Sequence, residues 1–205
     1  RATVFSGDAS ASVTLPDVTL LPGGFFQYSG VLETAGFSNG YVRVERISGS
    51  APYYAYGVIN DQTNSDGSFV FPVVNASLVG RIGQSLPVIV ETPVFSSELT
   101  LTNFSSSSKT LNFSFVADAV ETSDNTTNFQ ITLQAGEQKI LPKIVNVLRQ
   151  QGVAGIGAAG PTFAGALFAT VSGDMSGIVI GARTLAPGGG GQYGLFYNAV
   201  PYGTA

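Results

Sequence analysis

The residues that limit the chemistry of this protein most are the ones it lacks. The 205-residue chain contains no His and no Cys. Neither a Ser-His-Asp nor a Cys-His nucleophile can be built without them, and no His- or thiolate-ligated metal site is available. The 13 Asp and Glu residues are the carboxylates available for glycoside cleavage, and they form no recognisable local motif. We therefore expect a protein without enzymatic activity.

A run of four glycines at 188–191 has the composition of a phosphate-binding loop. A P-loop continues from its last glycine into Lys and then Ser or Thr, and a helix follows it. Here the run continues into Gln192, Tyr193 and a strand-like segment. The pattern therefore favours the turn of a β-hairpin.

The oxygen-rich loop at 60–67 is a candidate calcium site. Asp61, Asn64 and Asp66 are hard oxygen donors of the kind that calcium binds, although the EF-hand spacing is absent. Asn, Asp, Ser and Gly are also ordinary turn residues, which need no metal. The acidic stretch at 117–128 presents the same two alternatives.

The tyrosines at 53, 54 and 56 are candidates for ligand binding. Exposed Tyr53, Tyr54 and Tyr56 would offer flat, amphipathic rings that stack on sugars or dock against a protein surface. The alternative is that they pack within a β-sandwich and pair across its strands.

Charge and hydropathy exclude several partners. The formal net charge is −4, with no basic stripe, so we expect neither nucleic acid nor an anionic membrane surface as a partner. Residues 153–171 are largely apolar, but glycines and Pro161 interrupt them. Because both residue types break helices, we expect a glycine-rich loop and a buried strand there, and no membrane span.

The chain repeats its own pattern, which indicates two related modules. The matched segments are 18–28 with 131–141, 40–60 with 164–184, and 69–74 with 195–200. Each copy has the order strand, Gly turn, strand, Ser-Gly turn, strand, loop and closing strand. We predict an all-β fold of two tandem antiparallel β-sandwich modules, Ig-like or Greek-key-like, at 1–84 and 85–205.

Local periodicity places the strands and one helix in the second module. Residues 97–105 and 109–118 alternate apolar and polar side chains, as half-buried strands do. Residues 142–150 begin with Pro142 and carry apolar residues on one broad face, and Gly152 follows them. This pattern predicts one short helix.

The first module is predicted to be incomplete. Residues 1–8 match only the tail of the strand at 109–118, so a leading strand is missing. An incomplete sandwich exposes an unpaired edge and a strip of its core. We expect upstream sequence, the second module or a strand of another subunit to fill the gap.

The order of these motifs resembles tandem β-sandwich repeats of large secreted proteins from acidobacteria and similar bacteria. The segments that carry the resemblance include "ELTLTNFSSSSKTLNFSF", "ITLQAGEQKILPKI" and the closing "GLFYNAV". They specify turns and core strands, and no catalytic residue comes with them. The resemblance implies an extracellular or cell-surface location. From the repeated modules and the incomplete first copy, we expect a structural or adhesive role, in a filament or surface layer, with copies of the same module, a glycan or a surface protein as partners.

Overall fold

The computed structural model describes residues 1–118, 126–153, 156–158 and 163–204, and these residues form an all-β fold with two short α-helices. The elements are β1 Ala2–Ser6, β2 Ser12–Thr14, α1 Val31–Ala35, β3 Gly40–Val44, β4 Gly57–Asn60, β5 Gly67–Val70, β6 Gly83–Glu91, β7 Ser96–Asn103, β8 Lys109–Ala117, β9 Thr126–Leu133, β10 Gln138–Leu141, α2 Ile144–Gln150, β11 Phe163–Val171, β12 Ile178–Gly188, β13 Gly191–Asn198 and β14 Val200–Tyr202.

The described residues between 83 and 202 form an antiparallel sandwich. One layer has the strand order β13-β12-β7-β10, and the other has β14-β6-β11-β8-β9. The layers meet at the β6–β7 connection, where Glu91 pairs with Ser96. The strand alternation predicted from sequence is confirmed, because Leu99, Leu101 and the three apolar residues at 111, 113 and 115 are all buried.

Helix α2 confirms the helix predicted at 142–150. Its buried side chains are Ile144, Val145 and Leu148, which join the sandwich core. Gly152, at φ 71°, ends the helix in a left-handed conformation that costs glycine little. Among the described residues, no helix is long and apolar enough to cross a membrane.

Residues 1–44 form a small sheet with the order β2-β1-β3. Its core consists of Ala2, Val4 and Leu15, and the partly buried apolar residues of α1 pack against it. Apolar contacts are few here because a single sheet buries only one face, against one helical turn and a loop.

The β4–β5 hairpin is a separate two-stranded sheet, and it lies against β13 of the sandwich. The predicted module boundary at 84/85 falls inside β6, which begins at Gly83. As described, the first 82 residues therefore comprise a three-stranded sheet and a hairpin that packs on the rest of the chain.

Candidate interaction surfaces

An exposed row of aromatic rings runs across the β4–β5 hairpin. The aromatic row consists of Tyr54, Tyr56, Phe69 and Phe71, whose successive ring centroids are 6.2, 4.6 and 4.7 Å apart. All four side chains are exposed, and Tyr54 is the most exposed at 63%. Sequence reasoning missed Phe69 and Phe71, although their i, i+2 spacing on a strand was a usable signal.

The structure divides the predicted tyrosine group. Tyr54 and Tyr56 belong to the aromatic row, whereas the hydroxyl of Tyr53 donates a hydrogen bond of 3.4 Å to the carbonyl oxygen of Val44. Tyr53 therefore contacts the edge of β3. The three tyrosines do not form one common platform.

The predicted calcium residues bind the backbone of the β12–β13 hairpin. Asp61 Oδ2 accepts a hydrogen bond from the amide of Gln192 at 2.9 Å, and Asp66 Oδ2 accepts one from the amide of Gly194 at 2.8 Å. Asn64 Nδ2 donates to the carbonyl of Gly188 at 3.1 Å. The two loops that occupy matching positions in the repeated sequence thus contact each other directly.

These contacts cover part of the outer edge of the sandwich. β13 is the outer strand of its layer, and free backbone amides along such an edge attract other strands. The backbone amides of Gln192 and Thr63 donate to the carboxylate of Asp61 and hold its pKa below the usual value. The side chains of Asp61 and Asp66 thus bind amides that another strand would otherwise pair with.

Calcium binding at this loop stays a prediction. Among the described residues, no three Asp or Glu side chains come together in a way that could hold a metal ion. Of the second predicted acidic stretch, Glu121 and Asp124 lie outside the described residues.

Hydrogen bonds of the buried Arg183 link the β4–β5 hairpin to the sandwich. Arg183 on β12 donates from Nε to Ser68 Oγ at 3.0 Å, and Ser68 Oγ donates to the carbonyl of Gly194 at 2.8 Å. Arg183 Nη2 lies 3.7 Å from Asp66 Oδ2. Burial raises the pKa of Glu98, which pairs with Arg183 across the sheet, while the charge of Arg183 partly opposes that rise. Sequence reasoning missed Arg183, although it is a single charge in the apolar run at 178–187.

The outer edge of β3 has no neighbouring strand among the described residues, and only the Tyr53 hydroxyl donates a hydrogen bond to it, at the carbonyl of Val44. Val42 and Val44 continue the apolar face that Val4 and Ala2 form on β1, because they are their direct cross-strand partners. Val4 is fully buried, yet Val42 and Val44 are 41% and 42% exposed. Among the described residues, no strand pairs with this side of β3. The apolar face therefore reaches the edge of the sheet uncovered.

Two shallow grooves cross the outer face of the β6–β11–β8–β9 layer. The larger, of about 440 Å³, has neutral amide, hydroxyl and aromatic side chains in its walls and no carboxylate. The other groove, of about 280 Å³, has one carboxylate residue, Asp118, among the residues that line it. Neither groove brings two carboxylates together.

Comparisons with known proteins add little. No protein-family model matches the chain, and no curated protein matches it. One solved structure, "Crystal Structure of Thermotoga maritima 1070", aligns with this chain at a TM-score of 0.44 and 11% sequence identity. The alignment covers 62% of this chain and 98% of the chain in that structure. Similarity at that level carries no argument about fold or function.

Proposed function

We propose that this protein is a non-enzymatic structural or adhesive module that acts outside the cell, in a filament or surface layer. It assembles with other copies or neighbouring modules through strand contacts at its sheet edges. The observation that carries the proposal is the open edge of β3, where Val42 and Val44 are exposed beside the buried Val4. The extracellular location rests on the resemblance to secreted repeat proteins.

The two parts of the chain share a strand order, which supports the tandem repeat. The sheet β2-β1-β3 of the first part corresponds to β9-β8-β11 of the sandwich. In the sandwich, β6 pairs with the free side of β11. The same position beside β3 has no strand among the described residues. The sandwich therefore supplies a template for what is missing at β3.

Two glycines in matching positions support the same correspondence. A Cβ at Gly40 would overlap the carbonyl oxygen of Phe5, and a Cβ at Gly165 would overlap that of Val116. Each glycine lets two backbones approach closely, at the first residue of β3 and at the third residue of β11. This geometry pairs Gly40 with Gly165, one residue away from the sequence alignment, which paired Gly40 with Ala164.

The two helices also end alike. Gly36 follows α1 and Gly152 follows α2, at φ 75° and 71°. In each case the next residue donates its amide to a leucine carbonyl five residues earlier, Leu32 or Leu148. The same C-terminal cap thus follows a five-residue and a seven-residue helix.

The test is the association state of the protein in solution. Sedimentation of the wild type over a wide concentration range should reveal reversible self-association. Val42→Lys should abolish it, because a charge at an uncovered edge opposes strand addition. Val94→Lys is the matched control, since Val94 is a similarly exposed valine in the β6–β7 turn. A wild type that stays monomeric at every concentration would contradict assembly through β3.

A second candidate function is carbohydrate or protein binding by the exposed tyrosines, and the aromatic row favours it. Tyr54→Ala/Tyr56→Ala removes two of its four rings, whereas Tyr53→Ala removes a ring outside the row. If the row stacks on sugars, the double variant should lose binding on a glycan array and Tyr53→Ala should retain it. Equal binding by all three proteins would exclude this function.

A further inference from the structure

We infer that the outer edge of β3 pairs with β3 of a second copy of this chain, antiparallel, with Val44 opposite Val44 of the partner subunit. The inference rests on the proposed function, because it names the strand that covers the open edge. It yields a continuous sheet with the order β2-β1-β3 in one copy and its two-fold image in the other.

The backbone fixes which residues are available for pairing. Arg1 and Glu45 exchange two hydrogen bonds of 3.0 Å, from the Arg1 ammonium to the Glu45 carbonyl and from the Glu45 amide to the Arg1 carbonyl. In an antiparallel ladder, such pairs recur at every second residue. Tyr41 and Arg43 therefore also face β1, and the amides and carbonyls of Val42 and Val44 point outward. A partner strand must pair with these two residues.

Charge selects among the possible registers. With Val42 opposite Val44 of the partner subunit, the two copies of Arg43 lie opposite each other, and their like charges repel. With Val44 opposite Val44 of the partner subunit, Arg43 lies opposite Glu45 of the partner subunit, twice over by symmetry. The remaining register, Val42 opposite Val42 of the partner subunit, places Arg43 beside a tyrosine and leaves Glu45 without a cation. The Val44-centred register is the one that matches both Arg43 and Glu45, while Arg46 comes opposite Val42 of the partner subunit and keeps its hydrogen bonds to the carbonyls of Ser50 and Ala51.

The same register covers the exposed apolar strip. A two-fold axis perpendicular to the sheet keeps the inner faces of both copies on one side. Val42 and Val44 of each copy then lie in one strip beside the buried Val4. The Tyr53 hydroxyl, at 3.4 Å from the carbonyl of Val44, gives up this long, exposed hydrogen bond to the partner's backbone amide.

β6, the strand that holds the corresponding position beside β11, is not free to cover β3. β6 pairs with β11 on one side and with β14 on the other. The inner strands of the sandwich would have to separate before β6 could move. A second copy covers the edge of β3 without breaking any strand pairing.

Cysteine cross-linking tests the register, because the wild type contains no Cys. Opposed residues of a hydrogen-bonded antiparallel pair have Cα atoms about 5.5 Å apart, within disulfide range. Val44→Cys should therefore give a covalent dimer on mild oxidation. Val42→Cys is the control, since its two copies would be four residues apart along the strand, roughly 13 Å. Cross-linking of Val42→Cys to the same extent would overturn the register.

Charge exchange provides an independent test that requires no oxidation. Arg43→Glu and Glu45→Arg should each weaken dimerisation about tenfold, since each turns two opposite-charge pairs into like-charge pairs. The double variant should restore the wild-type dissociation constant. Circular dichroism establishes that each variant folds. Equal dimerisation by all four proteins would overturn the inference.

The outcomes separate this inference from the proposed function. If the wild type associates, Val42→Lys blocks association and Val44→Cys does not cross-link, then β3 binds a different strand. The inference then fails and the proposed function stands. If the wild type is monomeric at every concentration, both fail.

Discussion

At the scale of single residues, half-buried carboxylates hold turns together by accepting hydrogen bonds from backbone amides. Asp174, between β11 and β12, accepts the amide of Gly80 at 2.9 Å and the amide of Ser176 at 3.0 Å. The Ser176 hydroxyl donates to the same carboxylate at 2.6 Å. These hydrogen bonds lower the pKa of Asp174 to about 2 from its ordinary 3.8. One side chain thus joins the loop before β6 to the loop before β12.

Asp174→Asn should therefore destabilise the protein in a pH-dependent manner. Because the folded pKa lies below the unfolded value, the carboxylate stabilises the fold above about pH 4 and loses that effect as the pH falls towards 2. The variant should unfold at a lower urea concentration than the wild type at pH 7, and the gap should narrow at pH 2.5. A gap that is the same at both pH values would contradict this role.

Residues of this kind mark one limit of prediction from sequence. Asp61, Asn64 and Asp66 were recognisable as oxygen donors, since their types and clustering are local features. Their partners in the structure, such as Gln192 and Gly194, lie more than 120 residues further along the chain. Nothing in local sequence specifies such a contact, so turn residues that bind a distant strand resemble metal ligands.

At the scale of elements, periodicity predicted the strands and helix of the sandwich because burial there follows the local pattern. The turn at 188–191 was also predictable, and Gly189 and Gly190 have φ 58° and 81° as a tight hairpin requires. The docking of β5 on β13 was not, because it depends on Ser68 meeting Arg183 across 115 residues. The sequence predicted that the first module lacks one strand. Only the structure shows that the unpaired edge belongs to β3 and that Val42 and Val44 are exposed there.

Ser68→Ala tests how firmly the hairpin is attached. The substitution removes the donor to Gly194 and leaves Arg183 Nε unpaired in a buried site, at a cost of about 1–3 kcal/mol. Urea denaturation should detect the loss. Ser12→Ala, at an exposed position of β2, is the control and should change stability by less than about 0.5 kcal/mol. Equal stability of the two variants would mean that the hairpin contributes little.

At the scale of the whole molecule, the two parts differ in how much apolar surface they bury. The sandwich core draws on both layers and α2, whereas the core of residues 1–44 rests on Ala2, Val4 and Leu15. Exposed apolar side chains concentrate in the first 82 residues, among them Leu21, Phe25 and the aromatic row. The first part is therefore expected to depend on contacts beyond its own residues.

Hydrogen exchange should resolve this difference. In dilute wild-type protein, amides of β1 and β3 should exchange at lower opening free energy than those of β7 and β12, because fewer apolar contacts hold them. Raising the protein concentration should slow exchange at Val42 and Val44 if another strand covers them. Uniform protection across both parts would contradict the difference in stability.

The turn at 188–191, which is hydrogen-bonded to the loop at 60–67, also determines where the protein can be labelled. Hairpin tips usually accept insertions such as fluorescent tags or epitopes, because few contacts hold them. Here Asp61 and Asn64 form hydrogen bonds with the residues on either side of the tip, so an insertion between Gly189 and Gly190 would break the contacts that hold the β4–β5 hairpin. The turn at 92–95 keeps its described hydrogen bonds local, within Thr92–Phe95. It is the better point of attachment for a reporter.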